Sequence, residues 1–71
     1  MKKGDRVQVT YGERTLTALV LLASPNGRSL MIGWDDGMLG GHLGMMPILQ
    51  DESGEYRSLI EGKPVDLKVL S

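Results

Sequence analysis

The 71 residues of the chain are enough for one domain, expected over residues 1–71, with only a small core of its own. The sequence contains no cysteine, which excludes disulfides and thiolate metal sites, and we expect no cofactor. Eight basic and nine acidic residues give a net charge of −1, without the basic excess typical of nucleic-acid-binding domains. A domain this small leaves self-association as a further source of stability.

The first half of the chain predicts two antiparallel strands, because apolar and polar residues alternate between turns that contain glycine. The first strand is expected over residues 6–11, where Val7, Val9 and Tyr11 share one face. The second is expected over residues 14–23. It begins with alternating threonines and ends with apolar residues on both faces, which predicts either a bend or an exposed apolar patch at the interface with a partner.

The second half predicts further short strands. Asn26-Gly27 favours a tight hairpin turn before a third strand over residues 29–35, which we expect to end at Asp36-Gly37. Residues 38–44 are rich in glycine and are expected to be irregular. Strands follow over 45–50, 55–60 and 65–69. In the first of these three strands Pro47 predicts an edge position or a bulge, because proline cannot donate a hydrogen bond to a neighbouring strand.

Two segments resemble a known family. The residues from Lys3 to Val9, with a Gly-Asp pair followed by alternating valines, resemble the first strand of SH3-like barrels of the KOW and Tudor kind. The residues from Ile32 to Gly37, where Trp34 precedes an acidic turn, are similar to the middle strand and turn of Tudor-like members. The resemblance implies an all-β fold, a small SH3-like barrel of five or six short antiparallel strands.

No catalytic or metal site is predicted. His42 is the only histidine, and an acid–base or metal site would need it to share a pocket with Asp35 or Asp36. The chain has no cysteine nucleophile, and no serine lies in a recognisable triad context. We therefore interpret the chain as a non-enzyme. Trp34, which alternates with Leu30 and Ile32, is expected in the core.

The leading interpretation is an interaction module that binds a protein or peptide partner and can self-associate. Methionine-rich surfaces adapt to partners, although core packing is the more ordinary role of such residues. Of the three aromatic residues, Tyr56 lies on the predicted strand face that is least apolar. We therefore add it as an exposed candidate for partner contact. The predicted partner-binding residues are Met38, Leu39, His42, Leu43, Met45, Met46 and Tyr56.

The alternative interpretation is a nucleic-acid-binding domain of the KOW or Tudor type. Its phosphate-facing residues would be Lys2, Lys3, Arg6, Arg14 and Arg57. The longest apolar run, 18–23, is far shorter than the ~20 residues that cross a bilayer, and no apolar stretch follows the basic residues at the start. We therefore expect no membrane association and a cytoplasmic location.

Overall fold

All the strands of the protein lie in one antiparallel sheet. The computed structural model describes residues 1–70, apart from the side chain of Asp36. The strands are β1 (Arg6–Tyr11), β2 (Arg14–Ala23), β3 (Ser29–Leu39), β4 (His42–Gln50), β5 (Tyr56–Ser58) and β6 (Asp66–Val69). Their order in the sheet is β5-β4-β3-β2-β1-β6, which confirms the prediction of an all-β chain. No helix within residues 1–70 has the length and apolar character needed to cross a membrane.

The hairpin of β1 and β2 follows from alternating polarity. Val7, Val9 and Tyr11 point into the core, while the residues between them face outward. Tyr11 pairs with Arg14 across a two-residue turn, in which Gly12 has a φ of +63°. Both strands have the predicted bounds.

A register shift in the pairing of β2 with β3 explains the two apolar faces of β2. Val20 pairs with Ile32, but the next pair joins Leu22 to Met31, which leaves Leu21 as the extra residue. Such a shift is typical of a β-bulge, which bends the strand and increases its twist. Leu21 and Leu22 both lie on the surface. The bend and the exposed apolar residues, which the sequence presented as alternatives, therefore occur together.

The hairpin of β3 and β4 corrects the predicted end of the third strand. The chain does not turn at Asp36-Gly37. Instead β3 continues to Leu39, and the turn is made by Gly40 and Gly41. The register shifts between Gly33 and Met38, and the indole Nε1 of Trp34 donates a hydrogen bond of 3.0 Å to the carbonyl oxygen of Gly37 within this irregular stretch. The Asp-Gly pair therefore lies inside a distorted strand.

Pro47 lies in an inner strand, because β4 is flanked by β3 and β5. The expectation of an edge strand was wrong, and the reason is the alternation of an antiparallel ladder. The amide of Gln50 donates to the carbonyl of Arg28, so positions 50, 48 and 46 carry the hydrogen bonds to β3. Pro47 falls between them and loses no bond to β3. Its carbonyl accepts the amide of Leu59 at 2.9 Å on the other side.

The segment from Lys63 to Val69 contacts β5 at its start and β1 further along the chain. After β5 the chain turns at residues 59–62, earlier than predicted, and the amide of Ser58 donates to the carbonyl of Lys63 at 2.9 Å. Arg57 and Pro64 form an isolated antiparallel bridge. The same segment then continues as β6, which pairs with β1 from Asp66 to Val69.

One cluster of side chains forms the core, with contributions from β1 to β4 and from Val65 just before β6. Tyr56 and Leu67 pack against the cluster from the side. Trp34 belongs to the cluster, as predicted from its alternation with Leu30 and Ile32. The core residues are Val7, Val9, Tyr11, Ala18, Val20, Leu30, Ile32, Trp34, Leu39, Met46, Ile48 and Val65.

Candidate functional site

The surface of the sheet that faces away from the core, here called the outer face, carries an apolar row across its central strands. Strand pairing places Arg6 beside Leu19, Leu19 beside Gly33, and Gly33 beside Met45. Leu19 and Met45 are 46% and 55% exposed. Leu19 and Met45 lie on β2 and β4, with only Gly33 of β3 between them, and large exposed apolar side chains grouped in this way are typical of an interaction surface.

Within the outer face lies a groove of about 530 Å³. Gly33 and Gly44 contribute no side chains to it, and Leu19 and Leu21 form an apolar wall. Leu21 folds over Gly33 so closely that a Cβ atom at position 33 would lie 2.7 Å from the Leu21 Cδ1 atom. The groove therefore depends on the absence of a side chain at position 33, which is a close approach of the kind that glycine permits in a strand.

Opposite charges border the groove. Arg6 and Asp35 both line it, and both are exposed. Among the side chains that the structure describes, neither residue takes part in an ion pair. The groove can therefore offer a cationic and an anionic contact beside its apolar wall.

Only part of the predicted partner-binding set lies on the surface. Met38, Leu43 and Met45 are exposed, and Met38 pairs with Leu43 near the tip of the hairpin. Leu39 and Met46 are fully buried. These two residues belong to the core, because the alternation of β3 and β4 turns them inward.

Two more predicted residues are held inside or partly inside the protein. His42 is only 4% exposed. Tyr56 is half-buried against the core, and its hydroxyl donates a hydrogen bond of 3.3 Å to the carbonyl oxygen of Gly27. His42 is too buried to contact a partner as predicted. Tyr56 can contact a partner only through the part of its side chain that is exposed.

His42 is the centre of a buried polar network that was not predicted. Its Nε2 atom lies 2.9 Å from the Ser58 hydroxyl oxygen. Its Nδ1 atom lies 3.1 Å from the Leu39 carbonyl oxygen and 3.4 Å from the Glu61 Oε1 atom. Both neighbours of Nδ1 are acceptors, so Nδ1 carries a hydrogen, and the Ser58 hydroxyl is the partner of Nε2. The network joins β4, β5 and the turn that follows β5.

Glu61 connects this network to β1 and to the turn between β3 and β4. The Tyr11 hydroxyl donates to its Oε1 atom at 2.6 Å, and the amide of Gly41 donates to the same atom at 3.3 Å. The Tyr11 hydrogen bond, followed by that of Gly41, lowers the pKa of the Glu61 carboxyl. Burial, reinforced by the adjacent Glu61, raises the pKa of Tyr11. The carboxylate thus holds three parts of the fold together.

Ser58, His42 and Glu61 follow one another in the order of a nucleophile, a base and an acid, although the hydrogen bond of the His42 Nδ1 atom goes to the Leu39 carbonyl oxygen and Glu61 lies 3.4 Å from that atom. Ser58 is, however, only 1% exposed, and its hydroxyl also accepts the amide of Glu61 at 3.3 Å. In this structure a substrate has no access to the serine, so the chain of hydrogen bonds holds the fold.

Asp35, which was considered as a partner for His42, lies on the outer face instead. The side chain of Asp36 lies outside the described residues. Among those that are described, no group of three or more histidine and acidic residues could hold a metal ion.

The five predicted phosphate-facing residues come from three separate parts of the chain. Lys2 and Lys3 lie just before β1 and close to Arg6, but Arg14 lies at the opposite end of the β1–β2 hairpin, where it donates to the Met38 carbonyl at 2.7 Å. Arg57 lies on β5, near the opposite edge of the sheet order.

The guanidinium of Arg57 is occupied by neighbouring groups of the protein. It contacts the carboxylates of Asp51 at 3.0 Å and Glu55 at 3.4 Å, and it donates to the carbonyl of Gly62 at 3.0 Å. These carboxylates compete with any phosphate for the same donors.

The chain shows no relationship to known proteins that would assign a function. No protein-family model matches it, and neither the curated proteins nor the solved structures contain a significant match.

Proposed function

We propose that the protein is a non-catalytic interaction module that binds an apolar segment of a protein partner in the groove of the outer face. The observation that carries the proposal is the combination of an exposed apolar wall, at Leu19 and Leu21, with a floor at Gly33 and Gly44 that has no side chains of its own. Binding sites are commonly concave and mostly apolar, with few polar groups that set orientation.

We further propose that the fold is a small SH3-like barrel. The support is the segment from Lys63 to Val69, which bridges to β5 at Pro64 and pairs with β1 through β6. Because this segment contains the outer strand β6 and bridges to the other outer strand, β5, it brings the two edges of the sheet towards each other. Since this fold class hosts many unrelated roles, the fold supports a binding function without specifying the ligand.

The groove favours a partner with a leucine, methionine or aromatic side chain, flanked by polar or charged residues. Full burial of one such side chain contributes roughly 1.5–3 kcal/mol. Arg6 and Asp35 then select the orientation of the flanking groups rather than supplying most of the affinity. Met45 lies beside Gly33 in the strand pairing and can adapt its shape to different side chains.

Peptides selected from a random library for binding to the protein provide the test, and their affinities can be measured by fluorescence. A fluorescent label on the peptide reports binding, because Trp34, the only tryptophan, belongs to the core cluster. We expect Leu19→Glu to weaken the selected peptides at least about tenfold, which corresponds to about 1.4 kcal/mol. Leu59→Glu is the matched control, because Leu59 is also exposed but lies in the turn after β5.

The control variant should bind peptides as the unmodified protein does. If Leu19→Glu and Leu59→Glu bind equally well, the groove is not the binding site. If a selection repeated under several conditions yields no apolar peptide, the proposed function is wrong.

The nucleic-acid alternative has weaker support, because Arg57 is already bound by Asp51 and Glu55. Lys2, Lys3 and Arg6 are the basic residues that remain close together. A fluorescence titration with single- and double-stranded oligonucleotides at two salt concentrations tests it, since phosphate contacts make affinity fall as salt rises. A cytoplasmic location remains a proposal that rests on the sequence.

A further inference from the structure

We infer that the groove is occupied by a second copy of this chain, so that two molecules associate through their outer faces about a two-fold axis. The inference rests on the proposed function, because it takes the groove as the binding site and names the partner. It is carried by the charges at the groove, by the shape of the outer face and by the small size of the domain.

The charges at the groove are self-complementary. In a two-fold symmetric dimer each contact occurs twice, with residue i of one molecule meeting residue j of the other and the reverse. Arg6 and Asp35 line the same groove from β1 and β3, and neither is engaged in an ion pair among the described side chains. When two outer faces meet in opposite directions, Arg6 of each molecule can lie against Asp35 of the other.

The shape of the outer face is also self-complementary. Leu19 and Met45 project on either side of Gly33 in the strand pairing. Leu21 covers Gly33, so the depression lies at Gly44, where an added Cβ would meet only the Trp34 carbonyl oxygen, at 3.8 Å. A projecting leucine or methionine of one molecule can therefore enter the depression of the other. Burial of such a side chain between the two molecules removes it from water and stabilises the dimer, just as burial of a peptide side chain in the groove would stabilise a peptide complex.

The size of the domain gives a reason for association. Small domains bury a modest fraction of their surface and often need an additional source of stability. The accessible surface of the chain is 4534 Å². A standard interface buries about 800 Å² on each partner, which is about a fifth of that surface.

Charge reversal at the two residues tests the inference by sedimentation equilibrium over a range of protein concentrations. We expect the unmodified protein to dimerise, and we expect Arg6→Asp and Asp35→Arg each to raise the dimer dissociation constant at least about tenfold, because like charges then meet in both contacts. Mixing the two variants should restore dimerisation, since the heterodimer again pairs opposite charges. Glu52→Arg, in an exposed turn, is the control and should dimerise normally.

The mixing result separates a specific interface from a general effect of charge. If the unmodified protein stays monomeric at submillimolar concentration, or if the mixture of variants does not associate, the inference is wrong. Peptide binding that persists in a strictly monomeric protein would leave the proposed function intact and would point to a different partner. If either reversal unfolds the protein, Arg6→Gln and Asp35→Asn replace it, and an unchanged dissociation constant in both would overturn the inference.

Discussion

The substitution Ser58→Ala tests whether the buried polar network stabilises the fold. It removes one hydroxyl group and leaves the His42 Nε2 atom, which lies 2.9 Å from that hydroxyl, without a partner in the interior. Ser58 and His42 are both buried. A buried polar group that loses its partner costs about 1–3 kcal/mol. Because a domain of this size changes its melting temperature by roughly 4–8 °C per kcal/mol, we expect a fall of roughly 5–20 °C.

Thermal and urea denaturation, followed by circular dichroism, measure this cost. Ser29→Ala is the matched control, because Ser29 also lies in a strand but is exposed, and no side-chain hydrogen bond of its hydroxyl is found among the described residues. We expect the control to change the free energy of unfolding by less than about 0.5 kcal/mol. Equal stability of the two alanine variants would refute a stabilising role for the network.

A second background tests the mechanism itself. In a His42→Phe variant the ring carries no nitrogen for the Ser58 hydroxyl to satisfy, so Ser58→Ala should cost much less there. The difference between the two backgrounds measures the coupling of the serine with the histidine. If the cost is the same in both backgrounds, the serine does not act through His42, and its bond from the Glu61 amide or its packing carries the effect.

Two further predictions concern the turns. Gly40→Ala should destabilise the protein by about 1–3 kcal/mol more than Gly12→Ala in urea denaturation, because both glycines have positive φ but only a Cβ at position 40 would clash, at 2.6 Å from the Glu61 Oε1 atom. Hydrogen bonds from Ser53 and Arg57 lower the pKa of Asp51 from 3.8 to about 2. A carboxyl whose pKa falls on folding stabilises the protein above its unfolded pKa, and this stabilisation is lost as the pH falls towards about 2. The melting temperature of Asp51→Asn should therefore fall less steeply than that of the unmodified protein as the pH is lowered from 3.8 to about 2. An equally steep fall in both proteins would contradict this prediction.

Alternating polarity was enough to predict β1 and β2 with their bounds. Each of these strands pairs with a neighbour close in sequence through short turns, so local pattern and turn chemistry agree with the global pairing. The pattern misjudged β3, because Asp36-Gly37 has the composition of a hairpin turn. In the structure this Asp-Gly pair lies in the irregular part of β3, where the Trp34 indole donates to the Gly37 carbonyl oxygen. An Asp-Gly pair occurs both in hairpin turns and in bulged strands, so the pair alone does not distinguish the two.

The candidate site was less accessible to sequence reasoning than the strands were. The apolar residues of β2 predicted an exposed patch, and Leu19 and Leu21 indeed form one wall of the groove. The depression itself depends on Gly33 and Gly44, which meet only through the pairing of β3 with β4. Gly33 in the middle of a strand was a possible signal, because glycine there often marks a close approach.

The buried network had no local signal. Tyr11 and Glu61 lie 50 positions apart in the sequence, and only the complete fold brings them together. The glycines between residues 37 and 44 also interrupt the two-residue period. The sequence therefore could not separate the exposed Met38 and Met45 from the buried Met46.

The pairing of β6 with β1 has a consequence for the order of folding. The successive strands from β1 to β5 are neighbours in both sequence and space, whereas β6 pairs with β1 although the whole meander separates them in sequence, as in the pair of Val7 with Val69. Closing so large a loop costs entropy before its contacts stabilise the chain. We expect β6 to dock after the transition state, so that substitutions such as Leu67→Ala accelerate unfolding and leave the refolding rate nearly unchanged.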